Sequence, residues 1–124
     1  MELEIIPSEL TICKLSSTHN LPFDASFFFL GKTDQEVSLV CKTEDTPAET
    51  LDREDGWRGF RIKGILDFTQ IGVLSSLSGI LARNQVSIFV VSTYNTDYLL
   101  IKAEQFENAM HILTEAGYDV LQQL

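Results

Sequence analysis

Asp67-Phe-Thr-Gln-Ile-Gly-Val-Leu74 and Ser92-Thr-Tyr-Asn-Thr-Asp-Tyr98 are the two polar interruptions in a stretch, Gly64 to Val120, that reads strand, helix, strand, tight turn, strand, helix, strand. From Gln70 to Asn84 the apolar residues Ile71, Leu74, Leu77 and Leu81, with Val73 and Ile80 beside them, follow helical spacing. Asp67 and Gln70 have the spacing of a capping box, with Thr69 as a competing cap. Val86–Val91 is a β-branched run of the kind buried in a sheet, and Tyr98–Ile101 is its expected antiparallel neighbour across the turn. A second helix is expected from Glu104 to Ala116, with Phe106, Ala109, Met110 and Leu113 inward and Gly117 ending it in a left-handed conformation. Tyr118–Leu121 supplies a last strand. With Trp57–Lys63 in front, where Phe60 and Ile62 alternate with Arg61 and Lys63, the order is βαββαβ. Two helices on one face of a four-stranded antiparallel sheet follow, an α+β, ferredoxin-like arrangement.

The first half is richer in strands. Leu10–Leu15, Ala25–Leu30 and Glu36–Lys42 are strand candidates, the last two joined as a hairpin through Gly31-Lys-Thr-Asp-Gln35. Thr43–Gly56 is acidic and nearly free of large apolar side chains, so it reads as a connector. Thr46, Pro47 and Glu49 there have the order of a short helix start. Shifted by sixty positions, Ser26–Glu44 matches Val86–Glu104 at Phe29/Phe89, Thr33/Thr93, Leu39/Leu99, Lys42/Lys102 and Glu44/Glu104. The expected domains are therefore 1–55, a reduced copy with its connector, and 56–124, the complete unit.

Composition narrows the function. The chain has 124 residues, 44% of them hydrophobic, enough for a packed core. A net charge of −9 repels phosphate backbones and anionic lipid, which argues against nucleic-acid and membrane-surface partners. No apolar run reaches the roughly eighteen residues needed to span a bilayer. Met1-Glu-Leu-Glu-Ile-Ile-Pro7 has neither the basic start nor the apolar core of a signal peptide, so a cytoplasmic location is expected. Cys13 and Cys41 lie in apolar strand-like runs without metal or redox spacing and read as buried thiols. His19 and His111 have no evident nucleophile or carboxylate partner, and there is no metal-ligand spacing and no phosphate loop. No catalysis, metal or cofactor is expected.

With Gly64-Ile-Leu-Asp-Phe-Thr-Gln-Ile-Gly-Val-Leu74 followed by Val90-Val-Ser-Thr-Tyr-Asn-Thr-Asp-Tyr-Leu-Leu-Ile-Lys102, the chain resembles the ACT-domain proteins, above all the small bacterial ones with paired ACT units. These are similar in turn to the ACT regions of aspartate kinases and to the cytosolic arginine sensors. The resemblance implies an ACT unit preceded by a reduced, strand-rich ACT-like unit. It implies a regulatory module without catalysis that binds an amino acid or similar small molecule between ACT units, commonly in a homodimer, and reports to an unidentified protein target. A ligand-free dimerisation or scaffold protein is the alternative. By the same resemblance the ligand residues are Gln70, Ile71, Gly72, Val73 and Leu74 at the helix start and Thr93, Tyr94, Asn95, Thr96 and Asp97 at the strand end. Asp67, Phe68 and Thr69 are second-tier candidates. Gln70 stands where some relatives carry an acid that would pair a cationic side chain, so the resemblance implies an amino acid in general.

The residue chemistry suits such a ligand. A free amino acid needs both its carboxylate and its ammonium matched. A helix start offers unpaired N–H groups and a positive dipole end to the first. Asp97, with the Thr93 and Thr96 hydroxyls, offers acceptors to the second, at about 1.5–3 kcal/mol per charge-assisted bond. Glycine at 72 could equally serve helix packing, and Asn95-Thr96-Asp97 could equally be an ordinary hairpin turn. Tyr94 and Tyr98 fit either pocket walls or core or interface aromatics.

Overall fold

The computed structural model describes residues 1–65 and 72–122. It divides into two compact units, one made of Met1–Pro7 with Arg58–Leu124 and the other of Ser8–Trp57.

The larger unit contains the first residues of strand β1 (Glu2–Leu15) and the last of β4 (Asp52–Ile62). These are joined by helix α1 (Val73–Arg83), strands β5 (Phe89–Ser92) and β6 (Asp97–Lys102), helix α2 (Ala103–Glu115) and strand β7 (Asp119–Gln122). From β4 onward this is the expected βαββαβ order. Phe60 and Ile62 of β4 and Leu99 and Ile101 of β6 alternate onto one face. There they meet Leu77 and Leu81 of α1 and Phe106, Ala109, Met110 and Leu113 of α2. The inner stripe expected for the second helix is the one observed.

The sheet corrects the four-stranded antiparallel expectation. Its order is β7-β1-β4-β6-β5, and β7 pairs with β1 in parallel, from Glu2 opposite Asp119 to Ile5 opposite Gln122. The extra strand comes from the chain start, where Leu3 and Ile5 are buried in the same core. Glu2, Glu4 and Pro7 conceal it in the sequence, since a proline without an N–H normally marks a strand end.

Both helix ends follow from local chemistry. Gly117, at φ +102°, closes α2: its own N–H bonds to Thr114 O and that of Tyr118 to Leu113 O, which satisfies two carbonyls of the last turn. Helix α1 ends in the same way, with Gln85 N–H on Ala82 O and Val86 N–H on Leu81 O, but Gln85 must hold φ +62°. A left-handed non-glycine residue costs about 1 kcal/mol or more. Gln85→Gly is therefore expected to stabilise the protein by up to about 1 kcal/mol after the entropy of the freer unfolded chain is subtracted. Urea unfolding checks this, and a lower midpoint would contradict it.

The smaller unit contains the remainder of β1 and β4, with β2 (Phe28–Lys32) and β3 (Val37–Lys42), in the order β2-β3-β1-β4. Cys13, Leu15, Leu39 and Cys41 form its core, against Leu21, Phe28 and Val37. The helix expected from Thr46 is absent. Thr43–Asp45 makes one 3-10 turn, residues 46–51 are irregular, and β4 already begins at Asp52. Asp52–Asp55 are all exposed, so their charges stay solvated while the backbone pairs as a strand, which a search for apolar alternation overlooks. Asp55 also accepts from the buried Thr11 hydroxyl at 2.7 Å and from Arg53 Nε at 2.9 Å.

The two hairpins repeat one another. Phe28 pairs with Cys41 and Lys32 with Val37, while Phe89 pairs with Leu100 and Ser92 with Asp97. The sixty-residue shift carries β3 onto β6 residue for residue, with one register. The turns agree too: Thr33 N–H bonds to Glu36 O as Thr93 N–H bonds to Thr96 O. Lys42 and Lys102 then hold similar extended conformations, before a single 3-10 turn in one case and the whole of α2 in the other.

Both cysteines are free and buried. Burial pushes the Cys13 thiol up, and the neighbouring Cys41 pushes it further; Cys41 is raised chiefly by burial, against a Thr46 hydrogen bond that lowers it. A thiol raised in the folded state adds stability that is present below its unfolded value and is lost as pH rises through the folded one. The stability difference between wild type and the Cys13→Ala, Cys41→Ala double variant should therefore shrink above about pH 9. A constant difference from pH 7 to pH 10.5 in denaturant titrations would contradict this.

Candidate functional site

The turn between β5 and β6 is built by its own threonines. Thr93 Oγ1 donates to Thr96 O at 2.9 Å, and Thr96 N–H reaches back to Thr93 Oγ1. Thr96 Oγ1, 8% exposed, donates to Ile62 O at 2.8 Å and ties the turn to the end of β4. These hydroxyl protons are committed, so the two threonines face a ligand only as acceptors. Asp97 opens β6 and accepts from Ser92 Oγ across the hairpin. Tyr94 is 82% exposed.

Beside this turn lies a pocket of about 320 Å³ lined by Glu4, Arg61, Ile62, Gly64, Ile65, Thr93, Asn95, Thr96 and Tyr98. Strand alternation puts Glu4 and Arg61 on the sheet face opposite Leu3, Ile5, Phe60 and Ile62, away from the helix-covered core. Arg61 Nε donates to Glu4 Oε1 at 3.1 Å and Nη1 to the Tyr98 hydroxyl at 3.3 Å. The Tyr98 bond and, after it, the Glu4 bond raise the guanidinium's pKa, so its charge is permanent. Arg61 and Glu4 keep side-chain exposures of 30% and 21%, enough for a solute to reach them.

Of the residues expected to bind, Thr93, Asn95 and Thr96 line this pocket, whereas Tyr94, Asp97, Gly72, Val73 and Leu74 are not among its lining residues. Val73 and Leu74 are half-buried against the helix core. Gly72 is the N-cap residue of α1 at φ +91°, and a Cβ built there meets nothing within 4 Å among the described residues. Its backbone conformation, and no close helix packing, is what favours glycine. The helix thus starts at Val73 without a side-chain cap. Asp67, Phe68, Thr69, Gln70 and Ile71, with the expected capping box, lie outside the described residues. Tyr98, open between two roles in the sequence, is half-buried and serves as a pocket wall.

Glu4, Arg61, Gly64 and Ile65 were not foreseen. The signal was present as two period-two strands of opposite charge, Glu2 and Glu4 against Arg61 and Lys63. Both pairs close in the structure, at 3.1 Å for Arg61 with Glu4 and 3.8 Å for Lys63 with Glu2. Among the described residues, no group of histidine, cysteine and acidic side chains could hold a metal ion, and no helix is long and apolar enough to cross a membrane.

Comparison with known proteins adds to this geometry. A family model described as ACT domain matches residues 52–115, just over half of the chain. The cytosolic arginine sensor for mTORC1 subunit 1 of Homo sapiens is 26% identical over 113 residues, covering 86% of this chain and 34% of the sensor. The chain thus spans about a third of the length of the curated relatives it matches. Among solved structures, a protein from Agrobacterium tumefaciens superimposes with a TM-score of 0.87 at 29% identity, over 99% of this chain and 93% of its own. The ligand-free regulatory subunit of aspartate kinase from Thermus thermophilus gives a TM-score of 0.64 at 12% identity, over 93% and 96% of the two chains, a likeness of fold alone.

Proposed function

Since this chain belongs to the ACT domain family, we propose that it is a cytoplasmic regulatory module that binds a free amino acid, acts as a homodimer and reports to a protein target. ACT domains are regulatory modules for small molecules, amino acids among them. The observation that carries the reading here is the pocket of about 320 Å³ in which a cation, Arg61, and an anion, Glu4, stand beside the Thr93–Thr96 turn. A zwitterion has one charge of each sign, and burying either without a partner is costly. The pocket volume is close to the lower end of the range for small-ligand sites, about 300–1,000 Å³. Gly72 and the start of α1, with Asp97 at the start of β6, are the further contacts we propose around it.

Thermal unfolding in the presence of each common amino acid tests this. A compound at one hundred times its dissociation constant adds about 2.7 kcal/mol, which for a chain of this length is a rise on the order of several degrees. We expect a response to a narrow set of amino acids. No response to any would favour the scaffold alternative.

A further inference from the structure

We propose that Arg61 is the carboxylate-binding residue of this pocket and that the ligand is an amino acid with an uncharged side chain. The inference rests on the amino-acid reading above and specifies its chemistry. A guanidinium has five N–H donors in a rigid fork suited to a carboxylate. Among the described residues Arg61 uses two of them, Nε on Glu4 and Nη1 on Tyr98. Those two bonds fix the plane of the group. Three N–H groups, both on Nη2 and one on Nη1, have no partner among the described residues and are the ones we propose for the ligand.

The ammonium has a matching partner. Glu4 engages Arg61 through Oε1, which among the described residues leaves its Oε2 to accept, and Asn95, whose side chain carries an amide carbonyl, also lines the pocket. Among the described residues the charges are then balanced: one cation and one carboxylate line the pocket, and the ligand's α-carboxylate and α-ammonium answer them one to one. A lysine or arginine side chain would bring a second positive charge with no remaining counter-charge among the described lining residues. An aspartate or glutamate side chain would compete for the single guanidinium. Either leaves a desolvated charge without a partner, the condition that discriminates most sharply between ligands. Hydroxyl, amide and small aliphatic side chains bring no such charge, and Ile65 and Tyr98 offer them apolar contact. The relative whose name specifies arginine would thus differ from this chain in the side chain it recognises.

Calorimetric titration of the full chain with alanine, serine, asparagine, valine, aspartate, lysine and arginine tests this, with Arg61→Gln alongside. An uncharged amino acid should bind most tightly, with lysine and arginine at least tenfold weaker. Arg61→Gln should weaken the best ligand by about tenfold to a hundredfold, the value of a charge-assisted bond. Tightest binding of aspartate, lysine or arginine, or unchanged affinity in a folded Arg61→Gln, overturns this inference and leaves the amino-acid reading standing. Binding of none of the seven overturns both. Should Arg61→Gln fail to fold, phenylglyoxal labelling of the wild type decides, since the best ligand should protect Arg61 and leave Arg53 and Arg83 reactive. Equal labelling of Arg61 with and without ligand overturns the proposal.

Discussion

Phe60→Ala is expected to lower the unfolding free energy by about 3–5 kcal/mol, more than the truncation of any smaller side chain in the same core. Phe60 has no exposed surface and shares one continuous core with Leu3 and Ile5 of β1, Ile101 of β6 and the inner stripes of both helices. Removing the ring forfeits its burial and leaves a cavity that strands and helices held in one core close only in part. A domain of this size has about 5–15 kcal/mol of stability in total. The variant should therefore unfold at far lower denaturant, with part of the population unfolded at 37 °C. Equilibrium unfolding followed by circular dichroism measures it. A loss below 1 kcal/mol would mean that Phe60 is not the centre of this core.

Thr96→Val is the second large effect, and it reaches the site. Valine has nearly the shape of threonine, so the change deletes the hydroxyl alone and leaves the Ile62 carbonyl, its partner at 2.8 Å, without that donor. A buried acceptor stripped of its partner costs about 1–3 kcal/mol. The same bond holds the turn against the end of β4, where Arg61 lies, so the response to an amino acid should weaken together with stability. Thr93→Val is the control. Its hydroxyl shares Thr96 O with its own N–H, so the carbonyl keeps a donor and the loss should be smaller. Equal losses in the two variants would show that the Ile62 contact does not anchor the turn.

Much of this architecture can be read from local pattern, because its strongest elements are local. The stripe of Phe106, Ala109, Met110 and Leu113, glycine at 117 and the run from Phe89 to Lys102 each specify their own conformation within a dozen or so residues. The sixty-residue repeat reaches further still, as far as the register of both hairpins. What escaped the sequence is non-local. Glu2–Pro7 reads as an acidic start ended by proline, and only the parallel partner β7, more than a hundred residues later, makes it a strand. Asp52–Asp55 reads as a solvated connector because every side chain there is exposed, although its backbone is paired.

The site divides in the same way. The Thr93–Thr96 turn is visible because threonine, asparagine and aspartate crowd one strand end. The salt bridge between Arg61 and Glu4 is only hinted at, since the two segments show opposite alternating charges but not the register that joins residues fifty-seven apart. The expectation of a helix start facing Asp97 came from family likeness and from the chemistry of zwitterions. Two opposite charges on neighbouring strands, Arg61 and Glu4, offer the same chemistry.

A titration followed by amide chemical shifts tests the central claim most directly, because it locates the ligand without altering the protein. With the amino acid that raises the unfolding temperature most, the amides of Thr93, Asn95 and Thr96 and those of Ile62, Gly64 and Ile65 should shift together and saturate at one dissociation constant. Saturable shifts confined to other residues, such as the groove lined by Ser75, Ser78, Gly79 and Ile88, or no shifts with any amino acid, would contradict it.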